Sequence, residues 1–401
     1  MPGRRLIPRY WFPARSAAPL TWTSLGERRG SEPRRVAGQN DEATRESSEC
    51  VTRSVFVRGT GQEDNIGDVV LRRELFDRLR AVGALHLFLG DASKNFIEAL
   101  ALESGDVVYS DMKTWKRAAI ASAVRGSTWF VDKPGEVLVT RDIYLGQRSL
   151  LPLIAAVRVT GGRVLRLGIG QRVANPAVVP MFRRLYRLSN LVAWRDPESA
   201  AAFGIGEVMP DWGFAAVGSD RSQADRGSIV LSYRSDRTIL AAPTLEGIRR
   251  FAERAQLSVI VCTQVGRDNE RTRELAKTLG SAALLWDDGV PHAEQEERLR
   301  EVYRSAALVV SDRLHVLIVG ATEGAVPVNL VDEKDPKVAR HFDAIEYRGV
   351  TVLSEDLSAD AVADALARQL LRRAELDRAL EVADEAIERI TRRALHVGVG
   401  L

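Results

Sequence analysis

Cysteine is almost absent from this chain of 401 residues, Cys50 and Cys262 being the only two. A pair so widely separated makes neither a disulfide framework nor a zinc site of recognised spacing, which favours a reducing compartment. Long hydrophobic runs are missing as well. Residues 150–157 form an apolar stretch about half the length of the roughly 18 residues that a membrane span needs. No HExxH, GxSxG, acidic metal cluster or kinase signature occurs, so nothing visible calls for a metal or an activated serine. Net charge is only +3, and the basic and acidic residues are interspersed, which argues against a nucleic-acid surface. Lysine is scarce, seven residues among 57 basic side chains. Genome base composition accounts for that bias better than function does, yet it makes each retained lysine worth inspection.

What is present is globular. Apolar residues make up 45% and charged residues 28% of the chain, enough to bury a core in about two domains. Residues 1–52 stand apart: arginines are scattered among Pro, Ser and Gly with no apolar segment or periodicity. They read as a disordered leader or as sequence upstream of the true start, and Glu27, Glu32 and Asp41 weigh against a transit peptide. From Arg53 onward strand and helix signals alternate, first over 53–218 and then, after a polar break at 219–226, over 227–356. Two α/β units in series place a cleft between them. The tail, 357–401, carries helical periodicity with many Glu/Arg pairs and reads as helices packing back on the body.

Four stretches carry possible chemistry. In the loop 59–68, after the first strand, Gly59 and Gly61 allow backbone N–H groups to approach an anion at the next helix start, or serve a plain tight turn. Asn65, Gly67 and Asp68 close that loop. Gly168-Ile169-Gly170-Gln171-Arg172 reads as a second loop after a strand, with the same alternatives. In Trp194-Arg195-Asp196-Pro197, Asp196 suits a helix N-cap. Arg195, at a strand's carboxyl end, is shaped to hold a carboxylate or phosphate.

The fourth stretch is Ser311-Asp312-Arg313-Leu314-His315, with the helix expected over 316–323. Polar, proton-handling groups there interrupt apolar sequence at the carboxyl end of a buried strand, where open α/β sheets bind ligands. A satisfied structural Arg/His pair is the alternative. Lys334 and Lys337, past the next strand, add point-charge donors for an anion, or are surface lysines. Arg234 follows the Ser228 strand in the same way. Among the other histidines His86 reads as core, while His292 and His341 fall in loop or helix-start settings.

These residues resemble the polysaccharide pyruvyl transferases. The resemblance lies in Asn65-Ile66-Gly67-Asp68, Gly168-Ile169-Gly170, Trp194-Arg195-Asp196-Pro197-Glu198-Ser199, the stretch 264–268, Ser311 to His315, Pro327 and Lys337, in that order over about residues 53–350. It departs where Asp64 replaces the glycine many members have before the Asn, and at 332–336, which puts the acceptor sugar in question.

The resemblance implies two Rossmann-like domains in a glycosyltransferase-B-like arrangement with C-terminal helices. It implies transfer of the pyruvyl group of phosphoenolpyruvate to two hydroxyls of a sugar as a ketal, on a polysaccharide or glycolipid precursor of the cell envelope. Arg195, His315 and Lys337 match the family's catalytic residues, with Asn65, Gly67, Asp68, Gly170, Arg172, Arg234, Asp312 and Arg313 expected to bind substrate. On this reading Arg313 or Asp312 orients His315, no cofactor or metal is used, and the site is cytoplasmic, at the inner membrane face if the acceptor is lipid-linked. The other readings are a nucleotide-sugar glycosyltransferase and a non-catalytic binding protein on the same fold.

Overall fold

The computed structural model describes residues 53–395, apart from 127, 174, 219–225 and 334. The expectations for the 1–52 leader, for most of the polar break and for Lys334 therefore fall outside the described residues. The first parallel sheet comprises β1 (Arg53–Arg58), β2 (Gly83–Phe88), β3 (Val107–Tyr109), β4 (Thr128–Asp132), β5 (Gly135–Val139), β6 (Arg163–Val173), β7 (Leu191–Trp194) and β8 (Glu207–Val208). Their order is β3-β2-β1-β4-β6-β7-β8, with β5 beside the carboxyl half of β6. The second comprises β9 (Ser228–Ser232), β10 (Ser258–Cys262), β11 (Ala282–Leu284), β12 (Ala306–Ser311), β13 (Val326–Val331) and β14 (Thr351–Leu353), in the order β11-β10-β9-β12-β13-β14.

Strands β4, β7, β9, β12 and β13 are buried at every residue, which is why their sequences are mainly apolar rather than alternating, with buried exceptions such as Asp132 and Asn329 held by polar partners. Strand order reverses between β1 and β4 in one sheet and between β9 and β12 in the other. Each reversal opens a crevice at the strands' carboxyl ends, where doubly wound sheets take ligands.

The two sheets are joined near those crevices. Asn65 and Val265 form an antiparallel bridge, and Gly266 N–H donates to Asp64 O at 2.8 Å. The last helix, Arg373–Leu395, buries Leu376, Leu380, Ala383, Ile387 and Ile390, one stripe at helical spacing. They enter a core that also holds Leu165 of the first sheet and Val309 of the second.

Two local expectations are corrected. Gly168 to Arg172 lie inside β6 rather than in a loop after it. Pairing with β7 slips between Leu167 and Ile169, where Gly168 takes φ +71° and an added Cβ would meet Trp212 Cδ1 at 2.5 Å. The helix after β12 spans Leu314–Thr322, two residues earlier than expected, so His315 stands in its first turn.

Candidate active site

The helix Ile66–Arg80 starts beneath the first crevice because Asn65 caps it, its side-chain oxygen accepting from Gly67 N–H at 3.0 Å. Arg72, about two turns further, donates to the carbonyls of Gly59, Asp68 and Thr60. Gly59 and Gly61 make room for packing: Cβ atoms there would press on Leu89 and on the Arg72 guanidinium. These two glycines are therefore spacers for packing, and neither takes the positive φ of a glycine-requiring turn. Gly67 has a different neighbour, since a Cβ would lie 2.6 Å from His315 Nδ1.

From the first sheet, β7 delivers Arg195, only 2% exposed, and Gly170 on the neighbouring strand leaves space for it; a Cβ there would stand 2.5 Å from Arg195 Nε. Asp196 caps the helix Pro197–Phe203 by accepting from Ser199 N–H and Oγ–H, which assigns it the structural role. Arg195 Nη1 is 2.9 Å from Asp211 Oδ2. The same carboxylate oxygen lies 3.6 Å from His315 Nε2, an electrostatic contact longer than a hydrogen bond. Burial by itself would raise the Asp211 carboxyl, but His315, Arg195 and His341 around it hold it well below the usual carboxylate range.

Asp211, not Asp312 or Arg313, is therefore the residue that faces His315. Asp312 accepts from Arg234 N–H at 3.0 Å, and burial pushes its carboxyl up. Arg313 Nε binds Asp268, itself held by Ser235 N–H at 2.9 Å. Ser311 shapes the turn between them, its Oγ accepting from Arg313 N–H at 2.9 Å. Arg234 is engaged with Asp236 through two hydrogen bonds of 2.8 and 2.6 Å.

Lys337 comes from the helix Pro336–Asp343, capped by Asp335, which accepts from Lys337 N–H at 2.9 Å. Its Nζ is 3.4 Å from Glu136 Oε2; burial lowers its pKa while Glu136 opposes that shift. One turn on, His341 is wholly buried in the last turn rather than at a helix start, with Nδ1 2.6 Å from Lys337 O. Burial, helped by the charge of Arg195, drives it well below the ordinary histidine value. His86 is half-buried, stacked on Phe56 at 4.4 Å, and His292 is a buried residue at a helix start.

Nine of the expected site residues line one cleft of about 490 Å³: His315, Arg195, Lys337, Asn65, Asp68, Arg172, Arg234, Asp312 and Arg313. Gly67 and Gly170 stand behind it as spacers. Eight cationic side chains line it against four carboxylates, an arrangement suited to an anionic ligand. Beside it, at the ends of β9, β12 and β13, opens a hollow of about 870 Å³ that shares Asp236 and Asp312 with the cleft and adds Asp332 and Asp335.

Sequence reasoning missed Asp211, Glu136 and the depth of His341. Asp211 carries only a local signal, as the cap of the short turn Trp212–Ala215, where it accepts from Gly213 N–H at 3.0 Å.

The model of the polysaccharide pyruvyl transferase family matches residues 65–330, more than half of the chain. No curated protein sequence matches it. Among solved structures, Neisseria meningitidis UDP-GlcNAc 2-epimerase bound to UDP-GlcNAc is 11% identical with a TM-score of 0.52, over 85% of this chain and 99% of that one. Phytolacca americana UGT2 complexed with UDP-2fluoro-glucose and pterostilbene is 10% identical with a TM-score of 0.50, over 86% and 97%. At such identities the likeness is one of fold, the expected glycosyltransferase-B-like pairing of two parallel sheets. Among the described residues no helix is long and apolar enough to cross a membrane.

Proposed function

The chain belongs to the polysaccharide pyruvyl transferase family and is a transferase, and from that premise we propose that it moves the pyruvyl group of phosphoenolpyruvate onto two hydroxyls of a sugar, releasing phosphate. The observation that carries the reading is the convergence of His315, Arg195 and Lys337 on one cation-rich cleft at the joined carboxyl ends of two sheets. Phosphoenolpyruvate brings a carboxylate and a phosphate, so its site needs fixed positive charge and N–H donors.

Chemically, a proton must reach the methylene carbon while a sugar hydroxyl adds to the central carbon and loses its own proton. The carbon–phosphate oxygen bond then breaks, phosphate departs with that electron pair, and the second hydroxyl closes the ketal with loss of its proton. His315 is suited to give and take those protons. Asp211, anionic and facing Nε2, favours the tautomer protonated there, which leaves Nδ1 to exchange a proton with substrate. Arg195 and Lys337 hold the donor's negative charge, and neither a cofactor nor a metal enters the scheme.

The neighbouring hollow fits the acceptor. Carboxylates such as Asp236, Asp312, Asp332 and Asp335 accept hydrogen bonds from sugar hydroxyls and repel a diphosphate. That favours a sugar there over the nucleotide of a sugar nucleotide. A cytoplasmic site, against the inner membrane face if the acceptor is lipid-linked, accords with a donor that is a central metabolite. Incubation with phosphoenolpyruvate and candidate sugars tests the reading: acceptor-dependent phosphate release supports it, and release of a nucleotide from a sugar nucleotide instead would replace it.

A further inference from the structure

Most of the positive charge in the cleft is already spoken for. Arg72, Arg195, Arg234, Arg267, Arg313 and Lys337 each stand against a carboxylate, namely Asp68, Asp211, Asp236, Asp64, Asp268 and Glu136. Of the eight cations lining the cleft, Lys133 and Arg172 are left, and among the described residues neither side chain has an ion pair or hydrogen bond. The two differ in cost. Arg172 is exposed, and water solvates it; Lys133 is partly buried, and a cation withdrawn from water without a partner is unfavourable.

The neighbourhood makes this lysine's isolation more pronounced. Lys133 follows the last residue of β4, at the strand-order reversal of the first sheet. The adjacent carboxylate, Asp132, is taken up by Arg58 at 2.9 Å and by the fully buried Arg166. It holds the backbone of Lys133, accepting from its N–H at 3.0 Å, and Lys133 lines the cleft. Burial, with Arg58 and Arg72 nearby, pushes the Lys133 pKa down; Asp132 and Asp68 oppose that shift, though neither forms an ion pair with the ammonium group. Pro134, buried, fixes the chain immediately after it.

We infer that Lys133 is the phosphate anchor of this site: its ammonium group binds the phosphate monoester of the donor, with Arg172 at the rim. The inference rests on the pyruvyl-transfer reading for the identity of the donor, but the anchor itself is a phosphate site. A compact ammonium charge suits a phosphate that must later leave with its full charge. The carboxylate end of the donor then falls to the Arg195 and Lys337 side of the cleft.

Calorimetric titration of the full chain with phosphoenolpyruvate, orthophosphate and pyruvate tests this. Lys133→Ala and the more conservative Lys133→Gln, each checked for a folded circular-dichroism spectrum, should weaken phosphoenolpyruvate and orthophosphate by about tenfold or more. Pyruvate, which lacks the phosphate, should bind as to wild type. Lys133→Arg should restore part of the loss, and Lys113→Ala, an exposed lysine elsewhere, should change nothing. Phosphoenolpyruvate and orthophosphate binding within twofold of wild type in both variants would overturn the anchor, as would equal loss of pyruvate. Wild type that binds orthophosphate through Lys133 but not phosphoenolpyruvate leaves the anchor standing and removes the pyruvyl reading; wild type that binds neither removes both.

Discussion

Asp211 faces His315 across the junction of the two sheets, its Oδ2 3.6 Å from the ring's Nε2 while the same oxygen holds Arg195 at 2.9 Å. One buried carboxylate thus positions the proposed proton-transfer group and an anion-binding guanidinium together. Asp211→Asn should keep much of the shape but remove the charge that sets the ring's tautomer, lowering kcat by roughly 100-fold or more. Near-normal turnover by folded Asp211→Asn protein would show that His315 works without it. Thermal melting should also show destabilisation, because Arg195 is left buried beside a neutral group.

Two glycines act as spacers for the same pair. In Gly67→Ala the new methyl would intrude on His315, and in Gly170→Ala it would intrude on Arg195. Each should fold and yet lose on the order of 100-fold in kcat/KM, the scale of a misplacement of about 1 Å at a reacting group. A crystal structure of either variant with the side chain undisplaced and the activity lost would count against this explanation.

Glu136 supports the charge on Lys337. Burial lowers the Lys337 pKa and Glu136 works against that shift, so removing the anion lets it fall further. Glu136→Gln should therefore move the alkaline limb of the kcat/KM profile for phosphoenolpyruvate to lower pH. A limb that stays in place, or moves upward, would contradict a charged Lys337 as donor ligand.

His341 gives a stability test. Because it is held neutral by burial, the unfolded chain binds a proton below about pH 6.5 that the folded protein refuses, so stability falls as pH falls through that point. In His341→Gln the decline of Tm between about pH 6.5 and pH 5 should be shallower than in wild type. Identical slopes would remove His341 as a contributor.

Much of this was legible in the chain. Buried parallel strands announce themselves as continuous apolar runs, so β7 and β12 could be placed, and with them Arg195 and the segment 311–315 at their carboxyl ends. The bulge in β6 was hidden because Gly168 and Gly170 carry the composition of a turn while their backbone continues the strand. Asp211, Glu136 and Lys133 were hidden for another reason. Their importance comes from partners far away in sequence, and each has an adequate local reading as a cap, a strand end or a surface charge. His341 resembled a helix-start histidine until the packing of its helix against Arg195 and Asp211 fixed its depth.

The measurement that bears most directly on the account is phosphate release from phosphoenolpyruvate, in the presence of an accepted sugar, by His315→Ala protein. Turnover should fall by about 100- to 10,000-fold, while calorimetry still detects phosphoenolpyruvate binding and circular dichroism a native fold. Near-wild-type phosphate release by folded His315→Ala protein would contradict the mechanism proposed for this cleft.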